Sequence, residues 1–541
     1  MNVNPMSSGL ITTGESHPVP GAVTTFQVAS PDLETVARDL RGLRLADMFA
    51  SDGDTPTLRL VWATDAGGGQ SGYVITETPL AGEYPGQYPR EYPALSDIAP
   101  AAFVEECEIY EQFGIRPATG KPLNRMMLPP HTGLSNTGLS NTGLSNTGMS
   151  NTGLPTLGRE PAREPEQLRA PHVVAGEAFE FPFGPVRQAG VESLYYGLVT
   201  SGEEIVDLYL FTWHKHRGLE WRLAGKTPQQ ALFLAERAEG LSAVAMSWAL
   251  AAAAESATGT SPPEAAQRTR AVALELERLY NHAAAMAALC QSTGLSVGQS
   301  AAEIALERLL RLNAAAFGHR YLFGVVTVGG AARAPDAAAI RDGLPGAYGE
   351  FRRAADALLT TNSFVDRLEA TGTLTAGQAG ALGMVGPVAR ATGLATDARL
   401  VPGGPYDAGP GDGQHGAGPG AGLAVATATA GDALARFTVM LAEAAESVRL
   451  IGQFLDAGTA AATAGLPRIS GTGLGWAESP RGEALAWVAL DGDGRITRAR
   501  LRPASVRNWR GFDDACRSGN VFTDIPIIEA SFWLTAAGMA R

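Results

Sequence analysis

Residues 232–246 read LFLAERAEGLSAVAM, and a distant counterpart at residues 530–541 reads ASFWLTAAGMAR. The first lies within an amphipathic run, 228–254, that opens on Thr227-Pro228, a capping residue followed by proline at the first helical position. Runs with the same three-to-four spacing of apolar residues cover 264–290, 300–317, 336–358 and 431–455, and together they describe a helical-bundle core. The second stretch carries no charge before Arg541. In water it would expose Phe532, Trp533, Leu534 and Met539, whose burial is worth about 1.5–3 kcal/mol for each large side chain, so it is expected inside.

Outward from these helices the pattern changes. Alternation over 193–200 and 205–211 predicts an antiparallel pair joined by the turn Ser201-Gly202-Glu203-Glu204. After Gly471 strands return, 482–490 and 495–501 forming a hairpin across Asp491-Gly492-Asp493-Gly494. That turn lacks the acidic spacing and closing glutamate of a calcium loop. The glycine-rich run 401–422 has no helical period and no Walker spacing.

Toward the N-terminus, 1–22 reads as a disordered leader rich in Gly, Pro, Ser and Thr. A small α+β domain, 23–130, is expected next: a strand at 24–29, a helix at 31–41 with Leu33, Val36, Ala37 and Leu40 on one face, and strands at 57–63 and 72–77. Residues 131–175 read as a low-complexity linker containing the tandem pentapeptide TGLSN. The large domain is 176–541. The fold class is α+β, the large domain being mainly a helical bundle with peripheral antiparallel strands.

Composition narrows the function classes. A net charge of −13 with no long Lys/Arg run argues against nucleic acid as a partner. The three cysteines, Cys107, Cys290 and Cys516, stand singly, which excludes a disulfide framework and a Cys-only four-ligand site, and fits a reducing cytoplasm. No signal peptide is apparent, and the apolar runs stop short of the roughly 18–20 residues needed to span a bilayer, so no direct membrane span is expected.

The motifs FPFGPVR (181–187), HKHRGLE (214–220), LELERLYNH (274–282), FGHRYLFGVVTVGG (317–330), GDALARF (431–437) and ESPRGE (478–483) are long, ordered and consistently spaced. In them the large domain resembles the large subunits of nickel-iron hydrogenases and of respiratory complex I, in the branch containing formate-hydrogenlyase-type proteins. Residues 92–129, with Glu106, Glu108, Glu111, Phe113, Gly114 and Ile115, resemble the end of the small α/β subunit of complex I, fused in front. The three glutamates read as a docking helix pairing with arginines of the following domain.

The hydrogenase members of that family hold their metals with two Cys-x-x-Cys pairs. The resemblance places the family's arginine at Arg237 and glycine at Gly240, its four thiolates at Glu239, Ser242, Thr535 and Gly538, and its histidine at Met246. It therefore implies a degenerate metal site, its space expected to be filled by Thr535, Ala536, Met246 and their neighbours, and no cofactor bound by this chain. Iron-sulfur clusters would belong to a partner subunit. The family's quinone-facing histidine and tyrosine fall on Val191 and about Gly240, neither of which hydrogen-bonds through its side chain, and quinone is left open as a ligand.

The polar residues of the motifs are His214, His216, Arg217, Glu220, Glu277, Arg278, Asn281, His282, His319 and Arg320. Two readings stay open: surroundings facing the partner's nearest cluster, or a buried ion-pair network, Glu277 with Arg320 or Arg217 for instance. His214 and His216, two residues apart, do not share a helical face, so no metal site is expected from them. What the resemblance implies is a subunit of a membrane-associated complex I-like or formate-hydrogenlyase-like oxidoreductase assembly, a large-subunit scaffold without independent catalysis. Its partners would be an iron-sulfur small subunit and membrane-embedded subunits, which would hold it at the inner face of the cell membrane. The alternatives are an active quinone-type oxidoreductase subunit using non-standard residues, and an assembly protein only.

Overall fold

A computed structural model describes residues 12–13, 23–51, 56–64, 72–80, 91–113, 115–119, 123, 178–187, 192–402, 404–406, 422–517 and 519–541. The chain divides into two compact units, one formed mainly by residues 1–169 and the other by 170–541 apart from 213–216 and Ala540. The expected linker, 131–175, and nearly all of the leader lie outside the described residues.

In the first unit, β1 (Thr12–Thr13), β2 (Val23–Gln27), α1 (Leu33–Asp39), β3 (Arg44–Ser51), β4 (Thr57–Thr64) and β5 (Gly72–Pro79) form a five-stranded sheet of order β1-β2-β5-β4-β3 with one helix. β2 and β5 run parallel and the other pairs antiparallel. A second, parallel pair, β6 (Glu91–Pro93) and β7 (Arg116–Ala118), brackets α2 (Phe103–Phe113). Leu58, Leu60 and Trp62 alternate along β4 into one core with Leu33 and Val36 of α1, Leu40 just after it, and Ile109 and Phe113 of α2. β3 was not expected from its sequence: seven of its eight residues are buried, so no polar face marks it. On α2, Glu106 is used locally, its Oε1 accepting the amides of Leu95 at 2.6 Å and Ser96 at 3.1 Å.

The second unit opens with the antiparallel sheet of β8 (Phe179–Phe183), β9 (Tyr195–Ser201) and β10 (Glu204–Phe211). Helices follow: α3 (Leu219–Leu223), α4 (Pro228–Ala235), α5 (Ala243–Thr258), α6 (Glu264–Ser292) and α7 (Ser296–Phe317). β11 (Val326–Thr327) and β12 (Gly330–Ala331) precede α8 (Ala337–Leu359), α9 (Asn362–Leu368), α10 (Ala376–Ala381), α11 (Gly386–Arg390) and α12 (Ala433–Asp456). β13 (Ala462–Thr463) pairs with β12. The chain then forms the sheet of β14 (Gly471–Ser479), β15 (Gly482–Leu490) and β16 (Ile496–Arg502), and ends with α13 (Ala504–Arg517) and α14 (Ile525–Phe532). Leu274, Leu279, Ala283 and Met286 of α6 join Leu309 of α7, Phe351 of α8 and Phe437 and Ile451 of α12 in one core.

Helix starts follow their local chemistry. Thr227 and Gln230 form a reciprocal capping box at α4, and Asp336 and Asp432 cap α8 and α12. The run 228–254, expected as one helix, is two. Leu241 takes φ 63°, and its carbonyl accepts the Tyr280 hydroxyl at 2.9 Å and the Asn281 amide at 2.8 Å, so donors from α6 replace the helix's own. β14 also went unpredicted. Its Gly471, Gly473 and Gly475 lie so close to α5 that a Cβ on each would come within 2.2 Å of the carbonyl oxygens of Ala257, Ala253 and Ala249. Glycine every second residue against alanine every fourth brings strand backbone onto helix backbone.

Candidate functional site

The segments that carry Glu239, Ser242, Thr535 and Gly538, where the resemblance places metal thiolates, meet in the structure. A Cβ on Gly538 would lie 3.3 Å from Glu239 Oε1, and one on Gly240 would lie 3.7 Å from the Thr535 methyl. The groups present there bond to one another. Glu239 Oε1 accepts from the Ser505 hydroxyl, Ser505 Oγ accepts the Thr535 amide at 3.1 Å, and Thr535 Oγ1 accepts the Gly538 amide at 3.1 Å. Arg481, at the turn between β14 and β15, donates from Nη1 to Ser242 Oγ at 2.7 Å and from Nε to the Trp533 carbonyl. One guanidinium thus ties the loop before α5 to the C-terminal segment.

That segment is held from several sides. Trp533 Nε1 donates to Asn281 Oδ1 at 3.0 Å, and Trp509 Nε1 to the Thr535 carbonyl at 3.0 Å. The Glu192 carboxylate accepts the amides of Ala536 and Ala537, and Arg217 donates to the Ala537 carbonyl. Arg541 meets Glu220 at 3.1 Å. Phe532, Thr535, Ala536 and Met539 are buried.

A nickel-iron pair needs soft thiolate donors. Here the donor set is one carboxylate and two hydroxyls already bonded, with no side chain at Gly538, where Ser505 and Pro503 also fill the space within 3.4 Å of the missing Cβ. These residues do not fit that centre. Met246 is buried one turn into α5, but the fillers around Gly538 are Glu239, Ser505 and Pro503. Val191 lies outside the described residues.

The polar residues of the motifs separate into groups. Glu277 pairs with neither Arg320 nor Arg217; its carboxylate accepts the first amides of α5, Val244 at 2.7 Å and Ala245 at 3.1 Å. Unpaired N–H groups at a helix start are strong, fixed donors, and α6 presents Glu277 directly to them. Burial nonetheless dominates, and lifts the Glu277 carboxyl to about 8. Arg320 pairs with Glu307 at 2.6 Å, and Arg217 donates to the carbonyls of Arg237 and Ala238. His319 Nδ1 accepts the amides of Tyr321 and Phe323, closing its own turn. His214 and His216 fall in the short segment grouped with the first unit, where burial lowers the His214 pKa.

Arg278 and His282 enter a cluster that the sequence did not reveal. Arg278 meets Glu275 at 3.1 Å, and His282 Nε2 meets Glu443 Oε2 at 3.0 Å. Arg390, ending α11, bonds Glu443 at 2.7 Å, Glu478 at 2.9 Å and Asp397 at 3.1 Å. Arg399 joins Asp397 at 2.7 Å to Glu275 at 3.1 Å, and Glu275 also accepts from Tyr406 at 2.7 Å and Ser447 at 2.6 Å. The available signal was weak: Glu443 stands among Met440, Leu441 and Ala444 on an apolar helix, and Glu478 and Arg481 lie within ESPRGE. Among the described residues, no group of three or more His, Cys, Asp or Glu side chains is placed to hold a metal ion, and no helix is long and apolar enough to cross a membrane.

Residues 303–464 match the family model described as the 49-kDa subunit of respiratory-chain NADH dehydrogenase. Formate hydrogenlyase subunit 5 of Escherichia coli (strain K12) is 28% identical over 358 residues, 65% of this chain, which spans only 61% of that relative's length. An NADH-quinone oxidoreductase subunit of Salinispora arenicola (strain CNS-205) is 30% identical over 344 residues, covering 60% of this chain and 84% of the relative. A chain of the membrane-bound sulfane sulfur reductase, an archaeal respiratory membrane complex, shares the fold: TM-score 0.60, 22% identity, 68% of this chain and all of that one. The motifs of the second unit, its fold and these relatives agree: the chain belongs to the large-subunit family of respiratory NADH dehydrogenase and membrane-bound hydrogenases.

Proposed function

We propose that this chain is the large-subunit scaffold of a membrane-associated oxidoreductase complex of the complex I or formate hydrogenlyase kind, without a nickel-iron centre of its own. The observation that carries the second half is the closed pocket, where Arg481 bonds both loops that would otherwise meet at a metal. Family membership carries the first half. In this reading the chain meets an iron-sulfur small subunit, and membrane subunits hold it at the cytoplasmic face. Residues 23–130 act as a fused counterpart of the small α/β subunit, with 131–175 as tether. The polar motif residues serve chiefly to lock the helices that present the partner surface.

Co-expression with an iron-sulfur small subunit encoded beside it, followed by purification through a tag on this chain and elemental analysis after desalting, tests both halves. Iron and sulfide are expected in proportion to the co-purified partner, with nickel far below one per chain. Stoichiometric nickel overturns the emptied-site reading. Purification of this chain alone from membranes that contain the partner overturns the subunit reading.

A further inference from the structure

Four carboxylates, Glu275, Asp397, Glu443 and Glu478, and three guanidiniums, Arg278, Arg390 and Arg399, meet in the second unit, none more than 8% exposed. Fully ionised, this set carries one negative charge too many in surroundings where an uncompensated charge is very costly. A single proton removes the excess.

The partners of each group decide where that proton resides. Glu275 faces Arg278, Arg399 and two hydroxyls. Glu443 is held by Arg390 through both Nε and Nη2, with His282 and Arg278 beside it. Asp397 takes two bonds from the Arg399 guanidinium, a third from its amide and a fourth from Arg390. Glu478 has least: the Ala398 amide at 3.0 Å and Arg390 Nη1 at 2.9 Å, and the same nitrogen also serves Asp397. His282 is a poor holder, because its Nδ1 is buried with no partner among the described residues, so an imidazolium would bury an N–H without an acceptor. Glu277, also on α6, lies outside this set and is a separate buried acid: burial outweighs the two α5 amides and the nearby Arg481 and Arg278 there and lifts it to about 8.

We propose that Glu478 is a proton-binding site, a buried carboxylic acid that takes up one proton from solvent and returns it while Arg390 and Asp397 stay paired. Electrostatics point the same way. Burial is the largest influence on all three glutamates; the facing guanidiniums overcome it at Glu275 and Glu443, whereas burial and then the Asp397 charge lift Glu478 to about 7. The site depends on this chain alone, so its failure leaves the subunit reading intact.

A raised acid contributes stability that is full below its unfolded pKa, about 4.3 for glutamate, and lost as pH rises through its folded value. Glu478→Gln copies the neutral acid and removes that loss. Its unfolding midpoint is therefore expected to match the parent's at pH 4 and exceed it at pH 8. Because Glu277 is also held protonated at pH 6, the infrared readout is the parent-minus-Glu478→Gln difference: a protonated-carboxyl carbonyl component should appear in it at pH 6, fade by pH 8.5, and survive in His282→Gln. Equal destabilisation of Glu478→Gln at both pH values, failure of that variant to fold at pH 6, or a carboxylic-acid band of unchanged intensity between parent and Glu478→Gln at pH 6 overturns the proposal.

Discussion

The closed pocket around Glu239 and the charged cluster around Arg390 are both buried and polar, yet they are held by different means. In the pocket, Ser505 and Thr535 close on backbone amides, and one guanidinium crosses between loops to the Ser242 hydroxyl. Neutral hydrogen bonds of this kind contribute about 1 kcal/mol each, so the pocket is a set of small, replaceable increments. In the cluster each arginine serves several carboxylates, and removing one member leaves charges stranded in the core. Changing a residue is therefore structurally cheap at one site, while losing a charge at the other is not.

Arg390→Met is the harshest test of that contrast. It strips Glu443, Glu478 and Asp397 of a shared donor, and breaking buried pairs of this kind costs about 3–5 kcal/mol, read as a collapse of the denaturant midpoint. A loss below about 1 kcal/mol would erase the distinction. Glu443→Gln should cost about 3 kcal/mol near neutrality. The folded pKa of Glu443 is depressed, so its contribution is present above the unfolded value near 4.3 and fades as pH falls further; the penalty should shrink by pH 3. A penalty independent of pH would mean that packing, not charge, holds α12 there.

Arg481→Met is expected to cost about 1–3 kcal/mol and to act locally. Amide exchange should quicken across residues 533–541, which Arg481 reaches through the Trp533 carbonyl, while the centres of α6 and α12 keep their protection. Global loosening would make the pocket as interdependent as the cluster. The smallest effect belongs to the exposed pair Arg341–Asp456, where Arg341→Ala should shift stability by no more than about 0.5 kcal/mol, since water and salt screen it.

Much of the fold was legible in the sequence because it rests on local periodicity and local chemistry. The capped starts at Thr227 and Asp432, the long helices from Glu264 and Asp336, and the hairpin across 491–494 were all marked within a few residues. Elements shaped by distant neighbours were not. β14 is a strand because Gly473 and Gly475 rest on α5, and the run 228–254 breaks because α6 supplies donors to Leu241. Partners of buried charges were hidden most completely: Glu277 chose helix-start amides over Arg320, and Arg390 joined Asp397, Glu443 and Glu478 from three separate segments. Sequence alone determined which faces are apolar and where helices begin. Only the tertiary structure decided which charge meets which, because a buried ion's partner is set by the groups that share its water-free space, and chain closure alone brings them together.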